Sequence, residues 1–322
     1  MILIKNKFTG EEIYRSDNVF LRYADLRGAN LRYADLQYVD LREAIWEGAN
    51  LEEANLYEAN LIGANLSKTD LRYADVRYAD LSKANLNRAI LQDVNLEGTN
   101  LREANLQYTN LRRAILEGAI LKGANLQYTD LRGAILEGAI LREVDLSKAN
   151  LQNVILYKAD LCETNLSEAN FSEADLRYAD LRYADLRKAD LYGANLYGAN
   201  LYGANLYGAN LYGMNLCGAD LRGANLQNTN LQGTNLRGAV LSEANFHGAN
   251  LQYASLYGAN LTYAKGIVCL GTDPRGYRFV GVQHDDGWRI SSGCRWFTID
   301  EAKAHWANNS DILSRINMCL SG

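Results

Sequence analysis

The sequence predicts an all-β solenoid closed at its C-terminal end by a small α+β module. Three observations carry that prediction. An apolar residue recurs at every fifth position from Leu21 to Leu261, 49 times in frame; 45 are Leu, and the others are Trp46, Val76, Phe171 and Phe246. Asp or Asn stands one residue before most of these centres, and Ala, less often Thr or Val, two before. After Lys265-Gly266 the period stops, and short β-branched and aromatic runs between turn signals replace it.

A helix cannot use a five-residue period. Five residues advance a helix by about 500°, so successive Leu would step 140° around the axis and cover every side. Asn or Asp in every unit, with Gly in many, would weaken it further. A short extended segment does use the period. Ala, Asp/Asn and Leu then point in, out and in, by the two-residue alternation of strands. The remaining two residues turn the corner. Of the 27 Gly, 19 fall two places after the centre, where Gly supplies the positive φ of one tight-turn type. Tyr, Lys or Glu elsewhere at that place predicts a second turn type alternating with the first.

The tandem unit A(D/N)LXX, as in Ala194-Asn195-Leu196-Tyr197-Gly198, resembles the pentapeptide-repeat family over residues 19–265. The resemblance implies a right-handed quadrilateral parallel β-helix with four units per coil. Residues 20 apart then stack in columns, and 49 units make about 12 coils. At about 4.8 Å per stacked strand the rod would be about 58 Å long. Stability would be nearest-neighbour, and exposed ends would need caps.

The ends fit that need. Residues 1–18 read as an N-terminal β cap, with Met1-Ile2-Leu3-Ile4 and Ile13-Tyr14 flanking a turn at Thr9-Gly10. Residues 266–322 read as the α+β module. Strands are expected at Ile267 to Leu270, Tyr277 to Gln283, Trp288 to Ser291 and Cys294 to Phe297, with a turn at Asp273-Pro274-Arg275-Gly276. Thr298-Ile299-Asp300-Glu301 matches a capping box opening a helix through Trp306, and a second helix runs from Ser310-Asp311 to near Leu320. About 57 residues are marginal alone, so docking on the last coil would help. The module resembles ends of phage-type and bacterial pentapeptide-repeat proteins, which implies no activity.

Composition narrows the function classes. A net charge of −5 over 322 residues announces neither a nucleic-acid binder nor a membrane-surface protein. No apolar run reaches the length of a membrane span, and MILIKNKFTG lacks a signal pattern, so a cytoplasmic location is expected. Five Cys without a CxxC pair fit reduced thiols.

Nothing points to catalysis or to a cofactor. There is no GxGxxG before a helix, phosphate loop, HExxH or GxSxG. His247 stands alone on the repeat. His284, His305, Cys269 and Cys294 are zinc-ligand types, but their spacing lacks close pairs and predicts packing thiols and surface imidazoles. His284-Asp285-Asp286-Gly287 reads as a hairpin turn. The Asp/Asn ladder offers carboxylates but no cleft in which a pair could acquire split pKa values.

Three surface features stand out. Ile replaces Asp or Asn at 115, 120, 135, 140 and 155; Ile115, Ile135 and Ile155 share a column, and Ile120 and Ile140 stack on the next face. The cluster reads either as a partner or homodimer surface or as the preference of β-branched residues for stacked strands. Glu97, Glu117 and Glu137 form an adjacent column, and Arg102, Lys122 and Arg142 form one on the next face, able to steer a polar partner or merely to offset each other. Tyr192, Tyr197, Tyr202, Tyr207 and Tyr212 look like a stripe but wind around all four faces, so only Tyr192 and Tyr212 stack.

The expected function is a non-enzymatic protein-interaction or structural rod, a phage- or virion-associated role being one version. The alternative, implied by the family, is a ligand of DNA gyrase or topoisomerase that imitates B-form DNA. Duplex DNA carries about one charge per 1.7 Å, or about 35 over such a rod. Residues 19–265 hold 29 Asp and Glu against 24 Lys and Arg, and no loop interrupts the frame. Direct nucleic-acid or membrane binding is not expected. Helix-dominated circular dichroism would contradict the fold; a β-dominated spectrum is predicted.

Overall fold

A computed structural model describes residues 2–16, 21–272, 278–292 and 295–318. The expected turn at 273–276, Tyr277 and Cys294 lie outside these residues. The chain divides into two compact units, Met1–Asn170 and Phe171–Gly322. Both contain stacked five-residue units, a β-helix-like solenoid.

One rule generates the coils. In the first unit, Leu126 N–H donates to Asp145 O (2.7 Å), Tyr128 N–H to Ser147 O (3.2 Å), Thr129 N–H to Leu126 O (3.2 Å) and Asp130 N–H back to Thr109 O (3.0 Å). The fifth amide, Gln127, donates to the side-chain oxygen of Asn125 (3.1 Å). In the second unit the same five bonds recur for Leu196, Tyr197, Gly198, Ala199 and Asn200. A unit with Asn or Asp at the outward place can therefore satisfy all five of its backbone donors, as these two do. Within each unit parallel bridges join residues 20 apart; in the first unit they form four ladders that begin at Asp25, Asn30, Asp35 and Asp40.

Ala and Leu point inward and are buried except near the ends of the repeat, where Ala29, Ala254, Leu261 and Ala264 are half-buried; most Asn or Asp between them are half-exposed. Trp46, Phe171 and Phe246 fill the Leu place without exposure. Where Thr replaces Ala, its buried hydroxyl donates to a backbone carbonyl, as Thr99 does to Val76 O of the preceding coil (2.8 Å).

The corners correct one expectation. No second turn type alternates with the first: the third residue of every corner, from Tyr23 to Tyr263, has φ between +51° and +73°. Thirty of these residues are not Gly. With the centre carbonyl bonded to the N–H three residues on, the corner is a type II turn. A non-Gly residue costs about 1–2 kcal/mol in this conformation. It is held there because its own N–H points at a carbonyl of the next coil, so residue preference is overridden by bonds 19 residues apart in sequence.

In the first unit, β1 (Ile2–Asn6) and β2 (Glu12–Ser16) form an antiparallel hairpin. Its turn is closed by Asn6 Oδ1, which accepts from Phe8 N (2.8 Å) and Thr9 N (3.1 Å), and by Gly10 at φ +72°. β1 also pairs with β3 (Ala34–Asp35), laying the hairpin on the first coil's edge.

In the second unit, β4 (Ile267–Thr272), β5 (Arg278–His284), β6 (Gly287–Ser292) and β7 (Arg295–Thr298) form an antiparallel sheet in chain order. α1 (Ile299–His305) opens on the expected capping box: Thr298 Oγ1 accepts from Glu301 N, and Glu301 Oε2 accepts from Thr298 N (2.7 Å). α2 (Ser310–Met318) follows. Leu270, Ile290, Ala302 and Ile316 form the buried core between sheet and helices. The sheet is tied to the last coil through Gly248 N to Gln283 O (2.7 Å), Gln283 N to Gly266 O (2.8 Å) and Ser291 Oγ to Leu251 O (3.4 Å).

Asn85→Ala tests the donor accounting. Asn85 accepts from Asn87 N and Asn105 Nδ2, and donates to Asn65. Losing these bonds should cost about 1–2 kcal/mol in denaturant unfolding, whereas Arg112→Ala at an exposed position should cost less than about 0.5 kcal/mol. Equal effects would contradict the accounting.

Candidate interaction surface

The outward place before each centre follows two polar solutions. Asn uses both ends of its amide: the oxygen caps the amide two residues on, and the nitrogen donates to the oxygen one coil back, as in Asn105 to Asn85 (3.3 Å) and Asn215 to Asn195 (3.1 Å). Asp has no such donor. Nine of the 14 outward Asp instead carry Arg two residues later and hold it bidentately. Asp25 bonds Arg27 at 2.6 and 2.9 Å, and Asp40 bonds Arg42 at 2.6 and 2.8 Å. A tenth, Asp160, is held by Arg142. These pairs are exposed and contribute little stability, but they cancel charge locally. The hydrogen bond from Arg27 pulls Asp25 from its ordinary 3.8 down to about 2, and Arg42 does the same to Asp40.

Ile115, Ile135 and Ile155 lie in one bridge ladder, and Ile120 and Ile140 in the next. Ile115, Ile120 and Ile135 are half-buried; Ile140 and Ile155 are 37% and 38% exposed. Isoleucine has no oxygen with which to cap an amide. The N–H groups of Glu117, Lys122 and Glu137 accordingly have no acceptor among the described residues. Sequence reasoning missed Ile45, Ile90 and Val240, which occupy the same outward place. Their signal is the same break in the Asp/Asn register.

The bonds seen from the charged columns lead to other residues. Lys122 reaches Glu143 (3.1 Å), Arg142 reaches Asp160, and Tyr78 donates to Glu97 (2.7 Å). Arg102 bonds Asn100 Oδ1 (3.1 Å). Glu117 and Glu137 are exposed on the face beside Ile115 and Ile135. Tyr192 and Tyr212 stack at 5.7 Å and 3°.

His247 is not alone, as its sequence position suggested. Its Nε2 lies 2.9 Å from Asp285 Oδ1, on the β5–β6 turn. The partner is 38 residues away, so only the docked sheet reveals it. His284 packs edge-on against Trp296, its Nε2 buried without a partner among the described residues, and burial with Arg289 holds the imidazole below its ordinary range. His305 stacks on Phe297 at 4.9 Å. Cys269 is exposed, and Cys294 lies outside the described residues. Among the described residues no group of His, Cys, Asp or Glu could hold a metal ion, and no helix is long and apolar enough to cross a membrane.

Comparison with known proteins agrees with the repeat. A family model described as pentapeptide repeats matches eight times, over residues 17–48, 34–72, 49–88, 79–118, 119–157, 155–191, 184–223 and 224–262. A solved structure of HetL, a pentapeptide repeat protein involved in heterocyst differentiation regulation from the cyanobacterium Nostoc sp. strain PCC 7120, is 37% identical; the match covers 67% of this chain and 88% of HetL, with a TM-score of 0.39. A pentapeptide repeat protein from the Arabidopsis thaliana thylakoid lumen is 37% identical over 30% of this chain and 68% of its own, with a TM-score of 0.30. QnrB1, a plasmid-mediated fluoroquinolone resistance protein, is 18% identical over 68% and 87%, with a TM-score of 0.20. A search of curated proteins finds no match.

The ion pairs have a pH signature. Asp25 and Asp40 have folded pKa values below their ordinary ones, so their contribution is present above about pH 4 and is lost as pH falls toward 2. Carboxyl titration by NMR should place both midpoints near 2, and Arg27→Gln should return Asp25 toward 3.8. Unshifted midpoints in the unsubstituted chain would contradict the pairing.

Proposed function

The chain belongs to the pentapeptide-repeat family, and from that premise we propose that it is a non-enzymatic protein-interaction scaffold. Its contact surface includes Ile115, Ile120, Ile135, Ile140 and Ile155, flanked by Glu117, Glu137, Lys122 and Arg142. The 20-residue bridge interval supports four units per coil, and the family resemblance supports the right-handed, four-sided form with about 12 coils. The hairpin of residues 1–18 acts as one cap, residues 19–265 as the scaffold and residues 266–322 as the other cap.

One observation carries the reading. In most units the outward place holds a side chain that caps a backbone amide, and in this cluster the amides of Glu117, Lys122 and Glu137 go without that bond. An uncapped amide costs stability, and exposed isoleucine gains little for the fold. A site that departs from the local rule without structural gain is where function is expected. The flanking charges give the apolar cluster a polar rim, the usual anatomy of a contact surface.

The gyrase-ligand alternative requires a surface of unpaired carboxylates spaced like phosphates. Ten of 14 outward Asp hold an Arg, which counts against it. We expect no inhibition of gyrase supercoiling by an equimolar amount of the chain; inhibition would move the account to the mimic.

Ile135→Asn tests the proposal directly. Asn restores a cap for the Glu137 amide, worth about 1 kcal/mol, so the variant should be at least as stable as the parent. It should also lose partner capture from a lysate, or self-association in sedimentation. A destabilised variant that captures partners unchanged would show that the isoleucines serve packing.

A further inference from the structure

The isoleucine ladder of the first unit lies between two unlike corners. Ile115, Ile135 and Ile155 follow one another in a single bridge ladder. The corner before Ile115 carries Arg112; the corner after it carries Glu117, with Glu137 one coil on. All three charged residues are exposed. The neighbouring guanidiniums are already engaged. Asp93 holds Arg113 through Nε and Nη2 (both 2.7 Å), and Asp130 holds Arg132 through the same atoms (2.8 and 2.6 Å). Arg112, Glu117 and Glu137 are not: among the described residues none of their side chains has an ion pair or a hydrogen bond.

The acidic side of this strip is clear of obstruction. Gly118 and Gly138 stack at its corner, and a Cβ built on either would meet nothing within 4 Å. Other corners of the same backbone conformation carry Tyr, Glu or Lys. Neither the turn nor crowding within the chain therefore excludes a side chain there, and Gly leaves room for another surface to approach the backbone.

We propose that the occupant is a second copy of this chain, laid ladder on ladder about a two-fold axis parallel to the stack of coils. This names the partner of the isoleucine surface and rests on the scaffold reading of it. Symmetry decides between the two ways of placing the strip on itself. An axis across the stack would set the Glu117 corner against its own counterpart, and likewise the Arg112 corner. An axis along the stack preserves height and exchanges the corners. Arg112 of each copy then meets Glu117 of the other, with Glu137 about 4.8 Å further along. Ile115, Ile135 and Ile155 each face their own counterparts, and the contact closes at two copies. Charge complementarity favours the copy over a partner of one sign. A basic segment would leave Arg112 opposed, and an acidic one would oppose Glu117 and Glu137. Three isoleucines and a charged rim make a small interface, so the dimer is weak and is weakened further by salt.

The test is sedimentation velocity of the full chain at low salt, over a concentration series reaching about 100 µM. A monomer–dimer equilibrium is expected. Arg112→Glu and Glu117→Arg should each weaken it at least about tenfold, because each sets like charges together at both contacts. Mixing the two variants should restore dimers, since every contact between them then joins opposite charges. Arg237→Glu, at an exposed position of the second unit, should leave association unchanged. Melting curves check that each variant folds. A chain that stays monomeric throughout, association that neither substitution weakens, an equal loss with Arg237→Glu, or no recovery on mixing would overturn the proposal. Capture of other partners by the unsubstituted chain and its loss in Ile135→Asn are read separately, so the scaffold reading stands or falls apart from the dimer.

Discussion

The positive φ at every fifth residue is the constraint on which the rest of the structure depends. It turns the chain at each corner and aims the corner N–H along the stack, at a carbonyl of the next coil. Gly adopts this conformation freely, but most corners are Tyr, Glu, Lys or another residue for which it is strained. Strain of this kind persists only where surroundings over-determine it. Here the centre carbonyl and the next coil each fix one neighbouring amide, so the corner has no alternative. The consequence is freedom of side chain. Because the backbone bonds set the corner, the corner and the residue before it can carry any polar or aromatic group, and the surface is open to variation that the core does not feel.

The outward place before each centre is less free. It must cap one amide, and the residues that fill it do so by two chemistries. Asn caps and also links coils through its amide nitrogen. Asp caps, but as an anion stacked near others it would repel them, and an Arg two residues later removes that penalty. The pairing of Asp180 with Arg182 and of Asp220 with Arg222 is therefore first a solution to stacking. It leaves a surface nearly neutral in detail as well as in sum. The isoleucines solve neither problem, which is why they read as a contact surface.

Much of the fold was legible from periodicity. A five-residue repeat excludes a helix, and inward Leu and Ala follow from strand alternation. The N-terminal hairpin and the capping box at Thr298 and Glu301 are local in sequence and were readable as such. The single turn type was not. Residue preference at corners such as Tyr128 suggested a second conformation, and the bond that overrides it reaches Ser147, 19 residues on. His247 looked isolated for the same reason, its partner Asp285 arriving only when the sheet docks. The Asp–Leu–Arg spacing was present in the sequence, but counting charges singly hid that they act in pairs.

Amide hydrogen exchange on the full chain tests the central claim, that the outward Asn and Asp complete the backbone's hydrogen bonding and the isoleucines interrupt it. The account predicts that Gln127 and Gln107, capped by Asn125 and Asn105, exchange at least about tenfold more slowly than Glu117, Lys122 and Glu137, since one hydrogen bond separates the two sets. Equal exchange in both sets would show that the side-chain caps add nothing to the backbone and would remove the reason for reading the isoleucine cluster as a functional surface.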